Sequence, residues 1–159
     1  MKEIDYSTSA GSVTRFTQVD ILGGTIHRNV YGGGSQSSIG APKIPVNGVM
    51  PADPDKKDLS ESGIANQGKQ SQCTVNIGGG TSKVTIGTED DYKEHYGGEV
   101  YGASRGNPSL DATQFGTTIW TEVNVFENVK IMGNVFGGGD AGMVKRDTKV
   151  TIGGNPVTP

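Results

Sequence analysis

A valine, one polar residue and then isoleucine or valine recur six times in this chain: Val19-Asp20-Ile21, Val75-Asn76-Ile77, Val84-Thr85-Ile86, Val123-Asn124-Val125, Val129-Lys130-Ile131 and Val150-Thr151-Ile152. Apolar residues at a period of two belong to a strand that buries one face and wets the other. In five of the six a glycine follows within two residues, so each short strand stops where the backbone turns. A second signature interleaves with the first: Val30-Tyr31-Gly32-Gly33-Gly34, Val100-Tyr101-Gly102-Ala103-Ser104 and Val135-Phe136-Gly137-Gly138-Gly139. Its aromatic residues lie 70 and then 35 residues apart, the spacing of one repeat unit with a copy overwritten in the first gap.

Composition fits many small strands better than a bulky core. Hydrophobic residues make up 32% of the 159 positions, with 26 glycines and 7 prolines, a balance that without periodicity indicates a low-complexity chain. The ordered triplets argue against disorder, and short equivalent strands with glycine corners need little side-chain volume. At this length one domain is expected, so residues 1–159 read as a single module, one piece of a longer protein. A net charge of -3, with basic residues scattered along the chain and never more than two together, gives no face for nucleic acid. No apolar run is long enough to enter a membrane as a helix, and the N-terminus lacks the basic-then-apolar pattern of a signal peptide. Cys73 has no partner in the chain and shares a strand face with Val75 and Ile77, where it serves as a small buried hydrophobe.

Helical periodicity is nearly absent, and stretches rich in helix formers such as Asp53 to Ser62 are broken by proline or glycine. Strands are expected within 13–31, 73–86, 99–102 and 118–152. Residues 35–72, with Pro42, Pro45, Pro51 and Pro54, form an irregular excursion without repeat signature, and Ala103 to Gly116 a smaller one. Val123, Val129 and Val135 stand six residues apart, the spacing of a solenoid whose faces take about six residues each. In a parallel stack the layers lie ~4.8 Å apart and equivalent side chains form ladders of valine, isoleucine and asparagine. The expected fold is all-β, an irregular parallel β-helix (β-solenoid) with one long loop excursion. An antiparallel β-sandwich of glycine-cornered hairpins is the alternative.

Thr25-Ile26-His27-Arg28-Asn29-Val30-Tyr31-Gly32-Gly33-Gly34, Gly133-Asn134-Val135-Phe136-Gly137-Gly138-Gly139-Asp140-Ala141-Gly142 and Lys149-Val150-Thr151-Ile152-Gly153-Gly154 resemble the glycine-rich "NVYGGG" repeats of large bacterial adhesin-like surface proteins. The resemblance covers residues 19–34, 75–104 and 123–154. It implies a parallel β-helix displayed outside the cell as part of a longer array, with an export signal that this chain does not contain. It carries over no catalytic residue. The function expected is that of a non-catalytic structural or interaction module of an extracellular, cell-surface protein. A carbohydrate-binding or polysaccharide-cleaving β-helix domain is the alternative.

Candidate chemistry is sparse. Neither Gly78-Gly79-Gly80-Thr81-Ser82-Lys83 nor Gly137-Gly138-Gly139-Asp140 fits the phosphate-loop pattern, and no cofactor is expected. Glu89, Asp90 and Asp91 set three carboxylates in an expected loop, the ligand type of a hard cation, although adjacent surface acids are commonly just solvated. Asp20, Glu99, Lys130, Arg105, His27 and His95 lie near strands, yet no pair recurs at a spacing that joins two carboxylates, and catalysis is not expected. Placing Val123 and Val125 inward forces Trp120, Glu122, Asn124 and Phe126 to the opposite face. Trp120 and Phe126 there are candidates for stacking on a sugar ring or anchoring a partner, unless a loop covers them as a satellite core. Tyr92 and Tyr96, beside His95, make a further aromatic group. Tyr31, Tyr101 and Phe136 are expected to stack as scaffolding. The partners implied are a glycan or a host or surface protein, neighbouring modules of the same protein, and further copies joined end to end where loops leave the ends open.

Overall fold

The computed structural model describes residues 13, 16–39, 72–94, 97–110 and 116–154; most of the long excursion, at 40–71, and His95 and Tyr96 lie outside them. All six Val-x-Ile/Val triplets fall on strands. The first pass of the chain forms β1 (Thr17–Ile21), β2 (Gly24–Ile26) and β3 (Val30–Tyr31). The second forms β4 (Gln72–Ile77), β5 (Val84–Ile86), a one-turn helix α1 (Glu89–Lys93), β6 (Val100–Tyr101) and β7 (Thr117–Thr118). The third forms β8 (Trp120–Val125), β9 (Val129–Ile131), β10 (Val135–Phe136) and β11 (Met143–Val144), and β12 (Thr148–Ile152) begins a fourth.

Each strand pairs with its counterpart in the neighbouring pass. The sheet orders are β1-β4-β8-β12, β2-β5-β9 and β3-β6-β10, with β7 beside β11, and every pairing among the described residues is parallel. This excludes the antiparallel sandwich. Register follows the repeat: Val19, Val75, Val123 and Val150 align across the first sheet, as do Ile21, Ile77, Val125 and Ile152. Isolated parallel bridges join Val13 to Ile39 and Gly106 to Ala141, and the Ile39 amide donates to the Thr117 carbonyl beside the β7–β11 pair.

The core is as thin as the composition requires. Val75, Ile77, Val84, Ile86, Val100 and Val123 are fully buried and pack in one cluster with Val30 and Val125, with Val19, Ile21, Val129 and Val135 against its flanks. Glycine supplies most of the turns between strands. Gly87, directly after Ile86, has φ +81° and lies so close to Gly98 that a Cβ there would strike its Cα. The triplet without a glycine, Val123-Asn124-Val125, turns instead at Asn128, whose φ of 62° is the only positive value at a non-glycine among the described residues. Asparagine tolerates that conformation because its short amide bonds locally.

The acidic triplet is not in a loop, contrary to its sequence reading. Glu89, Asp90 and Asp91 form the first turn of α1, where carboxylates complement the exposed amide groups. Thr88 caps the helix: its Oγ1 accepts from the Asp91 amide at 3.1 Å and donates to Asp91 Oδ2 at 2.6 Å. The hydrogen bond from Thr88 holds the Asp91 carboxyl below its usual range, with His27 nearby, Nδ1 to Oδ2 3.6 Å, adding to the effect.

Candidate functional site

Strand alternation sends the middle residue of every triplet outward, and parallel register then lines those residues up. On the first sheet this builds an amide ladder. Asn124 Nδ2 donates to Asn76 Oδ1 at 2.9 Å, Asn76 Nδ2 donates to Asp20 Oδ1 at 2.7 Å, and Gln18 Nε2 donates to Asp20 Oδ2 at 2.8 Å. All the donors run toward Asp20, so its carboxylate ends the row with charge-assisted bonds that polarise the amides behind it. A second row runs beside it, where Lys149 Nζ reaches Glu122 Oε1 at 3.2 Å while Gln72 Nε2 approaches Glu122 Oε2 at 3.4 Å and donates to Thr74 Oγ1 at 3.1 Å.

Between and around these rows lies an open groove of about 630 Å³. Asp20, Asn76 and Asn124 line it together with Glu122 and Lys149, and Leu22 and Phe126 add apolar surface at one side. It presents outward amides, two carboxylates and an ammonium group along the axis on which the strands stack, at a repeat of ~4.8 Å. Asp20 and Glu122 stand two strands and two residues apart, about 12 Å between backbones. Both carboxylates are already held, Asp20 by the amides of Asn76 and Gln18 and Glu122 by the Lys149 ammonium and the Gln72 amide.

The aromatic candidates do not converge. Trp120 and Phe126 both lie half-buried on the outward side of β8 and its exit, but six residues apart on extended backbone, about 20 Å. Phe126 lines the groove and Trp120 does not. Tyr92 is exposed on α1, between the second and third sheets. Tyr96 lies outside the described residues. Among the described residues no three His, Cys, Asp or Glu side chains gather as metal ligands; Glu89 instead pairs with Lys93 one turn on, at 3.7 Å. Cys73 is fully buried, its sulfur 3.5 Å from Thr118 Oγ1, and burial pushes the thiol up, away from the reactive thiolate.

Tyr31, Tyr101 and Phe136 stack as one column on the third sheet. Ring centroids are 5.0 Å apart at both steps, with interplanar angles of 4° and 14°. That separation is nearly the strand spacing, so register alone brings the rings face to face. Glu99 threads the column: it accepts from the Tyr101 hydroxyl and from Asn134 Nδ2, while its amide donates to Asn29 Oδ1. Burial first, and then the Glu99 hydrogen bond and charge, push the Tyr101 phenol well above its ordinary range. The column is scaffolding, tied into the backbone on its polar side.

Of the groove residues, Asn76 and Asn124 were legible as the polar centres of triplets. Glu122 and Phe126 were legible as the outward face of their strand, but the pairing of Glu122 with Lys149 was not, because the two lie 27 residues apart in sequence. Comparison with protein-family models, with curated proteins and with solved structures finds no significant match.

Proposed function

We propose that this chain is a non-catalytic structural and interaction module of an extracellular, adhesin-like bacterial surface protein, built as an irregular parallel β-helix. The observation that carries the reading is the in-register, all-parallel stacking of the repeated motifs, three passes through the sheets in one order. Such a stack is rigid along its axis and repeats its outer face at each layer, which suits spacing and display. The satisfied ladders of Asn76, Asn124 and Asp20 support a holding role over a proton-transferring one. In the organism that makes the protein, membrane-impermeant biotinylation of intact cells is expected to label it through exposed lysines such as Lys83, Lys130 and Lys149. A protein that takes label only after lysis overturns the cell-surface reading.

The groove favours one second reading, binding of a polysaccharide laid along the stack. Its outward amides and carboxylates suit sugar hydroxyls, and Phe126 offers an apolar contact for a ring face. On a glycan array, Glu122→Ala is then expected to weaken binding about tenfold or more, the value of a hydrogen bond to a charged group. Trp120→Ala, outside the groove, leaves binding unchanged. Binding indifferent to Glu122→Ala removes the groove from consideration.

A further inference from the structure

The two ends of the first sheet carry complementary unfinished edges. Val150 and Ile152 of β12 are 41% and 70% exposed, although their register partners Val123 and Val125, Val75 and Ile77 are buried. In a parallel ladder alternate residues bond to opposite neighbours. The Gly153 amide donates to the Val125 carbonyl at 2.8 Å and the Thr121 amide to the Asp147 carbonyl at 3.2 Å. The N–H and C=O groups of Lys149 and Thr151 therefore face β8, and those of Val150 and Ile152 face the open edge. At the other end the Gly78 amide donates to the Ile21 carbonyl at 2.8 Å, so Val19 and Ile21 bond to β4. Gln18 and Asp20 then turn their N–H and C=O groups outward. Among the described residues, neither edge has a strand against it.

We propose that the β12 edge takes the β1 edge of a second copy of this chain, parallel, with Val150 opposite Val19 and Ile152 opposite Ile21. In that register the Val150 amide meets the Gln18 carbonyl and the Asp20 amide meets the Val150 carbonyl, the same phase as at every interior junction of the sheet. Side chains agree with it. Thr148-Lys149-Val150-Thr151-Ile152 sets Thr on Thr17, Val on Val19 and Ile on Ile21, continuing the inward ladders. The Thr151 hydroxyl faces Asp20, extending the outer row, and Lys149 lies diagonal to the Asp20 carboxylate, an opposite-charge pair. The contact joins two different surfaces and does not close on itself, so it builds open chains of molecules. It rests on the sheet geometry of this chain and not on its display at a cell surface.

Sedimentation velocity on the whole chain tests it. The wild type is expected to gain mass continuously with concentration, without a plateau at the dimer. Ile152→Lys blocks the β12 end at a side chain the fold leaves exposed. Gln18→Pro blocks the β1 end by removing an outward N–H that β4 does not use, a substitution edge strands tolerate. Each variant alone is expected to stay monomeric, and an equimolar mixture to form one-to-one dimers and nothing larger. Where proline disturbs β1 by circular dichroism, Asp20→Lys replaces it, setting like charges across the joint. A Gln18→Pro chain that assembles like the wild type shows that β12 pairs with itself and overturns the proposal. So does a wild type that remains monomeric at every concentration, or a mixture that does.

Discussion

Ile77→Ala is expected to lower the stability of the folded chain by about 2–5 kcal/mol, whereas Ile152→Ala at the matching position of β12 changes it by less than about 0.5 kcal/mol. The two residues hold the same place in the repeat and differ only in what lies above them. Ile77 is fully buried, in register between Ile21 and Val125 and packed in the central cluster, so its truncation leaves a cavity in a core only one or two side chains deep. Ile152 is 70% exposed at the end of the stack and has little packing to lose. Layered repeats draw stability from contacts between neighbours, which makes the middle layers the costly ones. Urea titration reads the difference as a fall in midpoint at unchanged slope. Ile77→Val, which keeps most of the volume, is expected to lose about 0.5–1.5 kcal/mol. Equal losses for Ile77→Ala and Ile152→Ala would mean that the order of strands in the first sheet is wrong.

How much of this was legible in the sequence depends on whether a feature is local. The triplet centred on Asn76 shows a strand, an inward face and a stop at Gly78 within four residues, all of it local stereochemistry. The Tyr31, Tyr101 and Phe136 column was legible once the motif was seen to repeat, because equal positions in equal layers must face each other. Strands such as β2, β7 and β11, two or three residues long, carry no periodicity of their own and exist through their partners. The helix α1 is too short for a helical period to appear, and its only local signal is Thr88 three residues before Asp91, an N-cap pattern. The groove was hidden for a different reason. It is made by the register of strands from all passes, and register across an insertion as long as residues 35–72 is set by packing, not by neighbours in sequence.

The glycine motif yields a contrast inside one signature. Gly102→Ala is expected to destabilise the chain by about 1–3 kcal/mol, and Gly138→Ala to stabilise it by roughly 0.4–1 kcal/mol. A methyl group at Gly102 would run into the carbonyl oxygen of Gly137 in the next layer and approach Val123 Cγ2 to 2.9 Å. Neither neighbour can retreat, because the Gly102 amide bonds to the Phe136 carbonyl at 2.9 Å and the Ala103 amide to the Gly138 carbonyl at 3.2 Å, which fixes the spacing of the layers. At Gly138 a methyl group meets nothing within 4 Å and the backbone is not left-handed, so alanine there only restricts the unfolded chain. The repeat itself already contains this substitution. In Val100-Tyr101-Gly102-Ala103-Ser104 the second and third glycines are replaced by alanine and serine, while the first, where a Cβ would come within 3 Å of the adjacent layer in all three copies, is kept. Opposite shifts of the urea midpoint for the two variants would tie the first glycine of the motif to layer spacing. Equal shifts would reduce the motif to a flexible corner and remove its role in setting the stack.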